Sequence, residues 1–473
     1  MQGHHQVGIT TGLPGLPVGR QLHAVSWRQH LPPAPGGLPV AVVGIGQRGC
    51  DDDDLLTMHP HSIATLPATT IGARLLDLTA RRGDATALAA ALQASRHDTL
   101  LHTDRLLQAL PSLQVPQRAA LNPPLWELGH IGWFQEFWLA RNPQRLLGPR
   151  ADPLAPRLAP LRADADALYD SSAVAHATRW GLPLPDIHAT RAHLAAQLHS
   201  TLALLAQADG NDDGLYFFRL ALVHEDMHHE AGLYMAHALG IAVNDARWQA
   251  PQLPDPPAPL AFAPGPWTLG SAADDGFAFD NELAAHPVAL DATEIDAQVL
   301  RWADYLPFVA AGGYADARLW TGAGNAWRQA SGATGPQGLR LQDGAWQQHR
   351  HGHWQALQPA EPACHLTAFE AEAWCAWAGR RLPTEVEWER AALSQPAAFR
   401  WGDVWEWTAS AFAPYPGFTP HPYRDYSAPW FDGRPVLRGG SFMTQPRLKH
   451  PRYRNYFPAH RADVPAGFRS CAR

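Results

Sequence analysis

Cysteine is scarce in this chain of 473 residues: Cys50, Cys364, Cys375 and Cys471 stand far apart, and no two form a C-x-x-C pair. This spacing excludes a disulfide framework and argues against a zinc site built from thiolates. We expect buried structural cysteines and a reducing, cytoplasmic setting.

Long apolar runs and an excess of basic residues are also missing. No segment is apolar over enough residues to span a bilayer, and no basic start precedes an apolar signal segment. The formal net charge is -7 at pH 7, whereas a nucleic-acid binder needs a basic stripe. The composition, 46% hydrophobic and 17% charged, is typical of a globular protein. We therefore expect neither a membrane partner nor a nucleic-acid partner.

Histidine and tryptophan, in contrast, are abundant, with 25 and 19 residues. Histidine at this level raises the expectation of a metal site. Tryptophan indicates either aromatic walls around a small ligand or a loop-rich core.

The chain divides into four regions, and its predicted fold class is α+β. Residues 1–70 are rich in Pro, Gly and His without a sustained period, which predicts a disordered extension or a mis-assigned start codon. Residues 71–248 have helical periodicity, which predicts a helical bundle with a metal site in its core. A stiff proline-rich linker is predicted over 249–266. Short apolar runs with Gly and Trp over 267–473 predict short strands and long ordered loops.

Seven segments have the periodicity of helices. Five belong to the predicted bundle and two to the C-terminal region: 75–94, 99–110, 125–141, 188–208, 215–239, 367–378 and 384–392.

The run His-Glu-Asp-Met-His-His-Glu at 224–230 lies in the last predicted bundle helix. His224 and His228 lie one turn apart on one helix face and can chelate one metal ion. A histidine pair at this spacing lies on a solvated helix face about as often as it binds a metal. His130, in another bundle helix, offers a third imidazole, and Glu230 is a candidate carboxylate for orienting one of the ligands. Three imidazoles leave coordination positions open, which suits zinc hydrolysis as well as non-haem iron and oxygen chemistry.

Motifs in both halves resemble one enzyme family. Residues 125–132 (LWELGHIG) and the H-x-x-x-H-x-E run are similar to the DinB-like helical domain of the ergothioneine-type sulfoxide synthases and their sister group, the selenoneine synthases. Four C-terminal segments resemble the formylglycine-generating-enzyme-like module of these proteins, at 368–389, 402–408, 436–441 and 467–469.

The resemblance covers about residues 71–473 and implies a DinB-like bundle over 71–248 followed by a C-type-lectin-like, formylglycine-generating-enzyme-like domain over 267–473. It implies that His130, His224 and His228 bind Fe(II). It also implies an O2-dependent reaction that joins a chalcogen donor to C2 of the imidazole of hercynine, the trimethylated betaine of histidine. The donor is a thiol in sulfoxide synthases and a selenosugar in selenoneine synthases.

Two departures from the family pattern concern the substrates. Where γ-glutamylcysteine-using members have an Asp that binds the donor's amino group, this chain has Phe457. Where they have a Gln that helps to hold hercynine, it has Met227. Together with a short stretch between Glu389 and Gly402, these departures slightly favour a selenosugar over a thiol donor.

Further site residues are candidates only. Substrate contacts are predicted for Met227, Asn455, Tyr456, Phe457, Arg179 and Arg191, the two arginines as anchors for an anionic tail of the donor. A tyrosine donates a proton or an electron in some members of the family, and the candidates here are Tyr423, Tyr426 and Tyr456.

Three other functions stay open. A formylglycine-generating enzyme would need a close pair of cysteines as a copper site. A zinc thiol transferase of the DinB-like group would use the same histidines without O2. A non-catalytic, metal-stabilised ligand-binding protein would need a fourth ligand, such as Glu230 or His229, because structural zinc sites are closed.

Overall fold

Long helices make up the first part of the chain in the computed structural model, which describes residues 76–242, 245–350 and 352–473. The extension predicted over 1–70 lies outside these residues. The α-helices of the first part are α1 (Thr79–Arg82), α2 (Ala85–Ala109), α3 (Pro124–Trp138), α4 (Ala165–Tyr169), α5 (Ile187–Leu205) and α6 (Asp212–Ala238). None of the described helices is both long and apolar enough to cross a bilayer.

The three longest helices, α2, α5 and α6, begin at polar caps. Helix α3 instead begins with proline at its first position. The side chains of Asp84, Asp186 and Asn211 each accept a hydrogen bond from the backbone N–H three residues further on. Such caps satisfy backbone donors that have no partner within the helix. The starts of these helices therefore follow from local chemistry.

Helix α2 corrects the prediction of two helices over 75–94 and 99–110, because it runs through the gap between them. Ser95 and Arg96 are buried there, and they donate hydrogen bonds to Asp226 and Glu225 of α6. A helix face that packs through polar contacts has no apolar period, so the sequence pattern breaks where the helix does not.

The second part of the chain combines short strands with four α-helices. These helices are α7 (Trp302–Ala310), α8 (Gly322–Ser331), α9 (Ala368–Trp377) and α10 (Glu385–Ser394). The helices predicted over 367–378 and 384–392 are confirmed as α9 and α10. Helices α7 and α8 escaped prediction because they contain Pro307, Gly322 and Gly324, which are residues typical of loops.

Eleven strands form four small sheets in the described residues. The strands are β1 (Leu260–Phe262), β2 (Gly265–Leu269), β3 (His286–Leu290), β4 (Thr293–Ile295), β5 (Leu339–Gln342), β6 (Ala345–Arg350), β7 (His353–Ala356), β8 (Trp405–Ala411), β9 (Pro435–Arg438), β10 (Asn455–Tyr456) and β11 (Ala466–Gly467). The largest sheet has the order β10-β9-β8-β11, with β8 and β11 parallel and the other neighbours antiparallel. This sheet brings β8 and β10 toward α6.

The segment predicted as a linker, 249–266, is instead part of the folded second half. Strand β1 lies within it and pairs antiparallel with β4, so that Leu260 is opposite Ile295. Leu253 is buried in a cluster with Val404, and its backbone N–H donates to the carbonyl of Ala360. Proline favours extended backbone at sheet edges, and a proline-rich segment can therefore be an edge strand as well as a linker.

Both halves belong to one compact unit, residues 69–473. One apolar cluster joins Trp138 and Phe217 of the helices to Trp405 and Tyr453 of the strand-rich part. Helix α6 lies at the centre of this contact, with most of its residues buried. The metal-ligand candidates on α6 are therefore held between the two halves.

A buried ion cluster organises the strand-rich half. The Glu385 carboxylate accepts hydrogen bonds from Arg438 at 2.8 Å and from Arg454 at 2.9 and 3.0 Å, and Tyr415 donates at 3.1 Å. The side chains of Arg438 and Arg454 are 0% and 1% exposed. The two guanidinium groups lower the pKa of Glu385 against the opposing effect of burial, which keeps the carboxylate ionised.

Candidate metal centre

Three imidazoles converge between α3 and α6. One nitrogen from each of His130, His224 and His228 lies within 4.8 Å of the others, and the Nε2 atoms of His224 and His228 are 3.2 Å apart. Nitrogens bound to one ion at about 2.1 Å lie roughly 3.0–3.4 Å from one another. The separation within the α6 pair therefore suits a single shared metal ion.

A glycine on α3 makes room for the contact that orients His130. A Cβ atom at Gly129 would lie 2.2 Å from the ring of Tyr169, so only glycine lets α4 approach this closely. The Tyr169 carbonyl then lies 2.8 Å from Nδ1 of His130. This contact leaves Nε2 of His130 free to face the other two histidines.

The surroundings of two of the ligands keep them neutral. Burial, followed by the neighbouring His228, lowers the pKa of His130 to about 3, and burial lowers the pKa of His224 well below its usual value. His130 stacks on Trp126 with 4.9 Å between ring centroids, and His224 stacks on Phe134 at 3.5 Å. Because neutral imidazole is the form that binds metals, both rings are ready to coordinate.

Glu127 orients the third ligand, a role that was predicted for Glu230. The carboxylate of Glu127 contacts Nδ1 of His228 and also accepts a hydrogen bond from Asn122. Asn122 in turn accepts from Arg179 at 2.9 Å. The sequence contains a signal for this role of Glu127, because Glu127 stands three residues before His130 on the same helix face.

We expect Glu127→Ala to weaken Fe(II) binding by about 10- to 100-fold, as is typical when the carboxylate behind a metal-bound histidine is lost. Glu127→Gln keeps a hydrogen-bond acceptor for Nδ1 of His228 and should lose less affinity. Anaerobic titration with Fe(II) against a competing chelator measures both. Equal affinity for the Ala variant and the unmodified protein would show that Glu127 does not support the ligand.

Glu230 instead connects α6 to the strand-rich half, which corrects the prediction that it orients a metal ligand. Its Oε1 accepts hydrogen bonds from Trp405 at 2.7 Å, Ser441 at 3.0 Å and Thr444 at 2.8 Å. Burial raises the pKa of the Glu230 carboxyl.

A cavity of about 170 Å³ lies beside this stretch of α6. Among the predicted site residues, its wall includes Met227, Tyr426, Asn455, Tyr456 and Phe457. Tyr234, Trp405 and Tyr453 also line it and were missed, because nothing in their local sequence distinguishes them from core aromatic residues. With Glu230, the structure thus brings six predicted residues together, from α6, from the segment at Tyr426 and from β10 and the residue after it.

The three candidate tyrosines have different positions. Tyr423 packs near the triad, with its ring centroid 4.9 Å from that of Phe134 and 6.1 Å from that of His224. Tyr426 lines the cavity and donates to Tyr453 at 3.0 Å, and the hydroxyl of Tyr456 contacts the Tyr426 carbonyl. Burial raises the pKa of Tyr423, so its phenol stays protonated at neutral pH.

The two candidate arginines do not line the cavity. Arg179 stacks 3.8 Å above the ring of Trp126 and belongs to the contacts behind Glu127. Arg191 forms an ion pair with Asp104 and is part-exposed on α5. Its ion-pair partner belongs to α2, and the contact of Arg191 with the donor stays a prediction.

A closed, four-ligand metal site is not formed by the described residues, in which the three histidines are the single ligand cluster. His229 points to the other side of α6, where its ring lies 5.9 Å from His102 and 5.1 Å from Trp248. Glu230 is engaged by the strand-rich half. This centre therefore resembles reactive metal sites, which keep coordination positions open.

The described cysteines do not support copper chemistry. Cys364, Cys375 and Cys471 are unpaired and buried, and burial raises the pKa of Cys364 and Cys471 to about 12. Thiolates, the form that binds metals, are disfavoured in such surroundings.

The second half matches the model of the sulfatase-modifying factor enzyme 1-like domain over residues 247–401 and 397–473. Over most of its length the chain is also similar to a hercynine oxygenase from Mycolicibacterium smegmatis. The identity is 33% over 412 residues, which cover 74% of this chain and 90% of the relative. The chain belongs to the hercynine oxygenase family, the ergothioneine-type sulfoxide synthases.

A second hercynine oxygenase, from Mycolicibacterium thermoresistibile, is 33% identical and covers 74% of this chain and 87% of its own length. Formylglycine-generating enzyme of Streptomyces coelicolor is 32% identical over 29% of this chain and 48% of its own length. This member of the hercynine oxygenase family is therefore an α+β protein with a helical region followed by a formylglycine-generating-enzyme-like domain.

Proposed function

We propose that this chain is a cytoplasmic, non-haem Fe(II) enzyme that uses O2 to join a chalcogen donor to C2 of the imidazole ring of hercynine. The observation that carries the proposal is a three-histidine centre on α3 and α6, together with an aromatic cavity whose wall includes Met227, the residue before His228. The hercynine oxygenases, at 33% identity, support the choice of hercynine. We also assign the helical half to the DinB-like type, on the placement of His130, His224 and His228 across α3 and α6.

The residues of the centre fit Fe(II). Two of the three imidazoles are fully buried and neutral, and two are oriented through their Nδ1 atoms by the Tyr169 carbonyl and the Glu127 carboxylate. Three neutral nitrogen ligands leave positions for O2 and a soft donor atom. Bound iron would supply oxygen activation with both reactants held in one coordination sphere.

The cavity walls offer contacts for hercynine. A quaternary ammonium group is attracted to aromatic faces, and Trp405, Tyr426 and Tyr453 provide such faces. Tyr423, which packs against the rings of Phe134 and His224, is the candidate of choice for holding a proton near the centre. A positioned phenol can act as a general acid when it lies within reach of the reacting atoms.

The donor side of the cavity departs from that of γ-glutamylcysteine-using members. Phe457 lines the cavity in place of an acidic residue, and the sulfur of Met227 accepts a hydrogen bond from Tyr453 at 3.4 Å in place of a glutamine amide. We therefore keep a slight preference for a selenosugar donor, as in selenoneine synthases, over a thiol donor.

Anaerobic loading with Fe(II), followed by hercynine, O2 and one donor at a time, tests the function. The donors to compare are a selenosugar, cysteine and γ-glutamylcysteine. We expect a product in which the donor's chalcogen replaces the hydrogen on C2 of hercynine. Its mass is that of hercynine plus the donor minus two hydrogens, with one oxygen more where one atom of O2 also oxidises the chalcogen and the other is released as water. The absence of a hercynine-derived product with every donor would refute the function, and so would a coupled product that forms without Fe(II), because replacing the C2 hydrogen of hercynine by a chalcogen is an oxidation that Zn(II) cannot carry out.

A further inference from the structure

A long loop of the strand-rich half carries two of the candidate tyrosines. It connects β8 to β9 over residues 412–434, and Tyr423 and Tyr426 lie in its middle. The ring centroid of Tyr423 lies 4.9 Å from that of Phe134 and 6.1 Å from that of His224. Ordering a loop of this length costs conformational entropy, which contacts must offset. The position of Tyr423 beside His224 therefore depends on the contacts that fix this part of the loop.

One buried carboxylate contacts the loop on both sides of the tyrosine pair. Asp280, which is 3% exposed, accepts a hydrogen bond from the backbone N–H of His421 at 3.2 Å and another from the hydroxyl of Ser427. Asn281 adds a contact at the second end, because its side-chain amide donates to the Ser427 hydroxyl at 2.9 Å. Asp280 thus joins the two ends of a short segment, residues 421–427, that has the tyrosines in its middle.

The Asp280 carboxylate forms no ion pair with an arginine or lysine of the described residues. Arg454 lies nearby, but its guanidinium donates to Glu385 and to the carbonyl of Asn281 at 2.8 Å. Burying a carboxylate without a cation is costly, and here the two hydrogen bonds from the loop offset that cost. The ion cluster around Glu385 therefore fixes the backbone beside Asp280, and Asp280 in turn fixes the loop.

The 421–427 segment is also fastened to the helical half. The hydroxyl of Tyr216 on α6 lies 3.0 Å from Nδ1 of His421. Toward the other end of the segment, Tyr426 donates to Tyr453 at 3.0 Å. Each of these contacts holds one end, whereas Asp280 holds both. Asp280 is therefore the contact that can set the conformation of the residues between the two ends.

We propose that Asp280 is a positioning residue, which ties the two ends of the 421–427 segment together and so holds the Tyr423 ring beside His224. The assignment rests on the proposed function, because the position of Tyr423 matters for turnover only if the reaction takes place at the three-histidine centre. Asp280 belongs neither to the described cavity wall nor to the histidine cluster. Its effect on the reaction passes through Tyr423.

Fluorine NMR of the full chain measures the position of Tyr423. The 10 tyrosines are replaced by 3-fluorotyrosine, and the Tyr423 resonance is assigned by its loss in Tyr423→Phe. Co(II), which binds imidazole ligands, shifts the resonances of nuclei near it, whereas Zn(II) has a filled d shell and serves as the diamagnetic reference. The difference between the two loaded forms falls steeply with distance from the metal. It therefore reports how close Tyr423 lies to the centre.

We expect Asp280→Ala to lose about half or more of the Co(II)-induced shift of Tyr423, because both ends of the segment lose a hydrogen bond. Ser427→Ala removes the hydroxyl at one end and should lose less of the shift. Thr408→Val is the matched control, since it removes a buried hydrogen bond to the Val436 carbonyl in the same half without touching the segment. It should lower the thermal midpoint and leave the Tyr423 shift unchanged.

An unchanged Tyr423 shift in Asp280→Ala would overturn the assignment, as would an equal loss of the shift in Thr408→Val. If Asp280→Ala does not fold, Ser427→Ala decides, and an unchanged shift in that variant overturns the assignment.

The metal-free protein separates this assignment from the proposed function. Without metal, the Tyr423 resonance depends on the packing of its ring against Phe134. A resonance that moves in metal-free Asp280→Ala, in a chain that takes up no Co(II), would support the role of Asp280 and contradict the proposed metal centre. A resonance that stays in place in metal-free Asp280→Ala would overturn the role of Asp280 whatever the product assay with hercynine shows.

Discussion

Replacing His224 with alanine is expected to leave the purified protein without stoichiometric iron. His224 supplies one of three converging nitrogens, and its Nε2 lies 3.2 Å from that of His228. Loss of one of three protein ligands removes both a bond and the chelate formed along α6, so iron per chain should fall by roughly tenfold or more. Metal analysis after anaerobic loading and desalting measures the effect.

His229→Gln is the matched control for this variant. His229 is adjacent to His228 and is as buried as His224, but it faces His102 and Trp248. Its replacement should leave the iron content unchanged, and thermal unfolding of both apo-variants shows whether each still folds. If folded His224→Ala retains one iron per chain, the ligand set is wrong.

The largest expected effect on stability comes from Glu385→Ala. This change leaves Arg454 buried without its carboxylate partner, whereas Arg438 keeps only the pair with Glu389 at 3.3 Å. Breaking a buried ion pair from one side costs about 3–5 kcal/mol, because an uncompensated charge stays in the interior. Denaturant unfolding of the full chain should report a loss of this size. Because the pKa of Glu385 is lowered in the folded chain, its contribution to stability is fully present above the usual pKa of a glutamate carboxyl. This contribution is lost as the pH falls through the lowered pKa.

A surface ion pair provides the comparison for Glu385. Asp316 pairs with Arg318, whose side chain is 89% exposed. Asp316→Ala should leave the denaturation midpoint unchanged, since exposed pairs contribute little. A similar midpoint for Glu385→Ala and Asp316→Ala would mean that the buried cluster is dispensable.

The spacing of His224 and His228 predicted their shared helix face, and the structure confirms that His130 joins them. Such a prediction succeeds because a helix has a fixed period, so that residues four apart must be neighbours. The same helical period also identifies Glu127, one turn from His130, as a candidate carboxylate for orienting a ligand. Glu230 lies two residues from His228 along the chain, but its side chain turns toward Trp405.

The rest of the site is formed by contacts between distant segments. Thr444 and Trp405 reach Glu230 across 214 and 175 residues of the chain. No local period or motif encodes such a contact, because it depends on how the halves pack. The merging of two predicted helices into α2 has the same origin, since the face at Ser95 is matched to polar residues of α6.

The division of the site between the two halves has an evolutionary consequence. All three candidate metal ligands lie on α3 and α6, whereas Trp405, Tyr453, Tyr456 and Phe457 on the cavity wall come from the strand-rich half. If the proposed function holds, mutations in a short stretch around β10 can therefore alter which donor is accepted without disturbing the proposed oxygen-activating centre. A lineage could in this way exchange one chalcogen for another through a few substitutions, while inheriting its metal chemistry intact.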